Sequence, residues 1–189
     1  MISNLHQSIS KYKIPTMDET WKVWVNVPLN STCSEIEKPS LRRFILEKEL
    51  SWVFKTMKLS HEGKLSHIFD LDKSLKDAFI SRSIIETSKL AASHQLRCLS
   101  PLSDHIGLKT YRKAIRQDIC DGYQPIVYGL FFDAYSIPMC QGLSFYADQY
   151  RKNLPGLFEP LDNWNNQLMM SINQAISDAS DNSASIKII

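Results

Sequence analysis

The residues best suited to chemistry lie between positions 86 and 116. A loop, Ser103-Asp-His-Ile-Gly107, runs into a basic segment with Lys109, Arg112, Lys113 and Arg116. A helix N-terminus attracts phosphate through its free N–H groups and its dipole, and cations add to that attraction. The same four cations would also serve as an ordinary solvated helix face. Upstream, Glu86 stands three residues before Lys89, a spacing that suits a salt bridge on a helix. The five histidines, His6, His61, His67, His94 and His105, show neither H-x-x-x-H nor H-E-x-x-H spacing, so no metal site is expected. Cys33, Cys98, Cys120 and Cys140 form no C-x-x-C pair, and they read as buried or inert thiols of a reducing compartment. No G-x-S-x-G, Walker loop or G-x-G-x-x-G is present.

These groups must be held by folded elements, and the composition allows for them. The 189 residues match one domain, and 43% hydrophobic with 22% charged residues argues against disorder. A net charge of +2 lacks the basic excess of a nucleic-acid binder. There is no apolar run long enough for a membrane span and no secretory leader, so a cytoplasmic protein is expected. Residues 1–177 are expected to form one globular domain, and 178–189 a flexible polar tail.

Along the chain, 20–28 alternates like a strand, with Trp21, Val23, Val25 and Val27 on one face. Ser40 opens a helix whose apolar stripe includes Leu41, Phe44, Ile45, Leu50 and Trp52; its polar faces carry Arg42, Arg43, Glu47, Lys48 and Glu49. Val53–Leu59 and Lys64–Leu71 read as a hairpin turning at His61-Glu-Gly-Lys64. Residues 74–81 suit a short helix. Periodicity leaves Ile84–Ala92 open between strand and helix. A helix from about Leu108 to Cys120 is expected to end at Gly122, and Pro125–Tyr135 reads as a buried strand. Further helices are expected at 141–151 and 161–177. The pattern predicts an α/β or α+β fold, with a mixed central sheet flanked by helices.

Three segments resemble the autoinducer (acyl-homoserine-lactone) synthases, a branch of the acetyltransferase-like GNAT fold. They are Leu41-Arg42-x-x-Ile45-Leu46-x-x-x-Leu50-x-Trp52, then Glu86-Thr87-Ser88-Lys89-Leu90-Ala91, then the loop, helix and strand ending at Ile126–Phe132. The resemblance spans residues 41–132 and implies a sheet that splays where the strands of Glu86 and Val127 part, with an extra C-terminal helix. It implies an N-acyltransferase that moves an acyl group from a carrier-protein or coenzyme A thioester to an amine. S-adenosylmethionine would be a possible cosubstrate, and no cofactor is tightly bound. Glu86 would take the proton from the amine. Arg42, Trp52, Ser88, Lys89 and Val127 would shape the substrate site. Gly107, Lys109, Arg112, Lys113 and Arg116 would meet a phosphate or an acyl carrier protein. The aromatic run Tyr128, Phe131, Phe132 and Tyr135 would line an acyl pocket or form core.

The family's acidic pair after the tryptophan has no counterpart at that place; Asp70 and Asp72 lie later. Lys89 stands where the family has arginine, and the two differ at a bidentate site. The alternative is a non-catalytic adaptor or regulator. Its C-terminal helix, with Trp164, Leu168, Met169 and Ile172, would dock another protein or pack on its own domain.

Overall fold

A computed structural model describes residues 38–79, 82–99, 104–153 and 164–184, and the strand expected at 20–28 lies outside them. Among the described residues every regular element is a helix and none is a strand. The expected mixed sheet of an α/β or GNAT-like fold is therefore corrected to an all-helical fold. The elements are α1 (Lys38–Phe44), a π segment (Ile45–Glu49), α2 (Leu50–His61), α3 (Leu65–Leu75), α4 (Arg82–Cys98), α5 (Ile106–Arg116), α6 (Gln124–Ala134), α7 (Met139–Asn153) and α8 (Trp164–Ala184).

Each departure from expectation has a local cause. The hairpin at 53–71 is two helices, α2 and α3. Gly63 sits at positive φ, but as a helix terminator: Gly63 N–H bonds the Ser60 carbonyl and Lys64 N–H bonds the Leu59 carbonyl. That paired closure is the Schellman motif, which wants the same glycine a hairpin turn wants. In α3 the residues Leu65, Ile68, Asp72 and Leu75 recur at helical spacing, and the last three are buried. The expected buried strand at 125–135 is α6. It is apolar on all sides, so it shows no periodicity, and Pro125 enters at its first turn, where proline's missing N–H costs nothing. Residues 84–92 lie inside α4, so the strands of Glu86 and Val127 that were to splay apart are both helices.

The helix expected to close at Gly122 ends earlier. Asp118 takes positive φ, and Ile119 N–H bonds the Ala114 carbonyl, which stops α5 at Arg116. His105 caps its start, its Nδ1 accepting from Leu108 N–H at 3.3 Å.

Helices α2 and α6 form the central pair, and they pack on each other more extensively than any other two elements. Gly129 allows this. A β-carbon there would lie 2.5 Å from Thr56 Cβ and 2.8 Å from the Val53 carbonyl. On one flank, α8 lies against α2 and the π segment, and α7 lies against α2 and α8. On the other flank, α4 and α5 cover α6, and α3 bridges α2 to α5. Trp52, Phe44 and Phe79 meet edge to face or tilted, with centroids 5.3–5.7 Å apart, and close one end of the core. None of the helices among the described residues is long and apolar enough to cross a membrane.

Candidate anion-binding cleft

The side chains of α4 at Lys89, Ser93, Leu96 and Arg97 follow a helical repeat and lie on one face. Those of α5 at Arg112, Ile115 and Arg116 do the same. The two faces line an open cleft of about 570 Å³, to which Asp121 and Gly122 also contribute. Arg112 donates from Nη2 to the Leu96 carbonyl at 2.8 Å, which pins α5 to the C-terminal end of α4. Lys89, two turns earlier, bonds the Asp121 carboxylate and lies 5.3 Å above the Tyr123 ring.

The charges in this cleft do not balance. Four cations, Lys89, Arg97, Arg112 and Arg116, face one carboxylate, Asp121, which Lys89 already engages. Arg97 and Arg116 have no carboxylate partner among the described residues. Partial burial and the neighbouring Arg116 hold the Arg112 guanidinium below its usual range. Like charges four residues apart on a helix repel. An anion between them removes that repulsion and accepts their forked N–H groups.

The loop that brings Asp121 and Gly122 to the cleft is built on a buried acid. Asp72 is fully buried and accepts from four donors. They are the Tyr111 hydroxyl and the N–H groups of Asp121 (2.6 Å), Gly122 (3.2 Å) and Tyr123 (3.4 Å). Burial still pushes its carboxyl above the ordinary range, against the pull of those donors. Gly122 holds positive φ, and Ile115 fills the space where a β-carbon would sit. Ser88 is buried and its Oγ accepts from Gln124 N–H at 3.1 Å, so it ties the start of α6 to α4. Burial and nearby acids raise the Cys120 thiol to about 12, which leaves it protonated and inert.

The other residues singled out in the sequence are scattered. Glu86 is exposed on α4 and pairs with Arg82 at 3.0 Å, not with Lys89. Trp52 and Val127 are core. Arg42 lies on α1, away from the cleft lining. Gly107 is buried where α5 approaches Leu130 and Ser60. Lys109 and Lys113 are exposed and do not line the cleft. On α8, Trp164, Leu168 and Ile172 pack inward, and Met169 is exposed. Tyr128, Phe131 and Phe132 are core too.

No sequence motif marks Arg97, Ser93 and Asp121 as parts of a site. The signal is the spacing Lys89, Ser93, Leu96 and Arg97, which becomes a face only when residues 84–98 are read as helix. Among the described residues no group of three or more His, Cys, Asp or Glu side chains could hold a metal ion. No protein family, curated protein or solved structure matches the chain.

Proposed function

We propose that the protein binds a small phosphate-bearing ligand, a phosphate ester or diphosphate, in the cleft between α4 and α5. The observation that carries this reading is the surplus of three guanidinium groups once Lys89 and the single carboxylate, Asp121, have paired. Guanidinium forks match phosphate oxygens in pairs, and several forks around one cleft suit a group with several oxygens. The volume falls within the usual range for small-molecule sites, roughly 300–1,000 Å³. Leu96 and Ile115 offer an apolar wall to the body of the ligand.

Binding without turnover is the reading the lining favours. Among the described residues that line the cleft, Ser93 is the one hydroxyl, and the only carboxylate is already engaged by Lys89, so no nucleophile and base stand paired. The acyl transfer that the family resemblance implied drew its geometry from parting strands, and helices occupy those segments. The phosphate on a carrier protein's arm has the same chemistry as a free phosphate ester, and the acyl-carrier partner remains within this proposal on that ground alone.

Calorimetric titration with inorganic pyrophosphate at low and moderate salt tests it. Saturable binding is expected, weakened by salt and strongly weakened in the Arg112→Ala/Arg116→Ala double variant. No saturable binding, or binding indifferent to that variant, overturns the reading. The same titration with apo and phosphopantetheinylated carrier protein separates the two sources of phosphate.

A further inference from the structure

A second buried acid lies on the opposite flank, apart from the cleft. Glu49 is the last residue of the π segment, and its side chain is almost fully buried. Its Oε2 accepts from the Tyr146 hydroxyl at 3.0 Å and from the Tyr150 hydroxyl at 2.5 Å, both on α7. Its Oε1 is buried and finds no hydrogen-bond partner among the described residues. Four residues after Ile45 and four before Val53, Glu49 lies on the buried face of this helical run. Leu50 N–H reaches back five residues to the Ile45 carbonyl, which rotates the downstream helix relative to an α-helical path.

Among the described residues the two phenols are the hydrogen-bond donors to this carboxyl. The described side chains of α8 include one ionisable group, Asp178, far along the helix from Trp164. On α7 Arg151 is engaged by Asp148, and Cys140 is exposed. On α1 and the π segment, Arg42 is half-buried and Arg43, Glu47 and Lys48 are exposed; Lys55 and Lys58 of α2 are only part-buried. From α6 comes Tyr128, whose ring lies 5.0 Å from that of Tyr146.

We infer that Glu49, Tyr146 and Tyr150 form a proton-dependent latch, which holds α7 on the π segment while the carboxyl is protonated and loosens it when the carboxyl ionises. A carboxylate offers about four lone-pair sites, and two phenols leave half of them unserved. In a dry interior that shortfall is costly, and opening to admit water relieves it. Burial accordingly lifts the Glu49 carboxyl from 4.5 to about 7, against the two phenol bonds that pull it down. The open state ionises near 4.5 and the closed state near 7, so opening grows as pH rises between those values and levels off above.

Amide hydrogen exchange of α7, corrected for intrinsic rates and measured from pH 5 to 9, tests the latch on the whole chain. The wild type should lose protection in α7 by about tenfold per pH unit up to pH 7 and then level off. Glu49→Gln should be flat. Tyr150→Phe removes a bond that favours the carboxylate, so its loss of protection should continue above pH 7. A wild type without this slope overturns the inference, as does Glu49→Gln that retains it. If Glu49→Gln does not fold, a Tyr150→Phe profile that levels at the wild-type pH overturns it instead.

Discussion

Two buried carboxylates, one on each flank of the α2–α6 pair, are supported very differently. Asp72 accepts from four donors, three of them backbone N–H groups of the 121–123 loop. Glu49 accepts from two phenols through one oxygen, and the other oxygen is unserved among the described residues. Both carboxyls lie above their ordinary range because both are buried. The count of donors decides what burial then does. Asp72 is a fixed hub that shapes the rim of a cationic cleft, and Glu49 is poised to change charge near neutral pH.

Asp72→Ala should break this contrast most severely. It strands three buried or part-buried N–H groups and the Tyr111 hydroxyl, at roughly 1–3 kcal/mol for each group that water cannot reach. We expect a loss of about 4 kcal/mol in urea denaturation. Next comes the pH dependence of the wild type. The shift of Glu49 corresponds to a stability loss on the order of 3 kcal/mol as pH rises from 4.5 to 7, with a plateau above. Glu49→Gln should remove most of that slope and leave the remainder contributed by Asp72, whose carboxyl is shifted in the same direction. Denaturation midpoints at pH 5, 6, 7 and 8 measure it.

On the cleft side, Arg112→Ala/Arg116→Ala should weaken pyrophosphate binding by about 100-fold, from roughly 1.5 kcal/mol or more per charge-assisted bond lost. Glu49→Gln should leave that affinity within about twofold, which separates the flanks. Gly129→Ala strikes the seam common to both. Its β-carbon would collide with Thr56 and the Val53 carbonyl, and the backbone atom cannot move aside, so about 2 kcal/mol should be lost. The smallest effect belongs to Glu86→Gln. The carboxylate is largely exposed and its pair with Arg82 is a surface one, so stability and anion affinity should change by less than about 0.5 kcal/mol.

How legible each segment is in the sequence depends on how it buries itself. Helix α5 has one apolar stripe and one basic face, so both its helicity and its cations were legible from spacing. Helix α8 is legible by its apolar side alone, Trp164, Leu168, Ile172 and Ile176. Helix α6 has no polar face, and an all-apolar run of Ile126, Val127, Leu130, Phe131 and Phe132 fits a buried strand as well as a buried helix. Gly63 terminates a helix with the residue type that turns a hairpin. Glu49 reads as part of a polar face by its charge alone; four residues after Ile45 and four before Val53, it lies on the buried side of the helix. In the sequence Asp72 reads only as one of two nearby acids, with Asp70. Its partners lie 39 to 51 residues away, and no local pattern announces them. Lys89, Arg112 and Arg116 were each visible as cations, but their meeting depends on α4 being a helix.

Side-chain NMR of the arginine Nε–Hε groups during a pyrophosphate titration tests the anion-binding cleft most directly. Saturable shifts are expected at Arg97, Arg112 and Arg116, with Arg42, Arg43 and Arg82 unmoved. Shifts spread evenly over all the arginines, or none at the cleft, would contradict anion binding there.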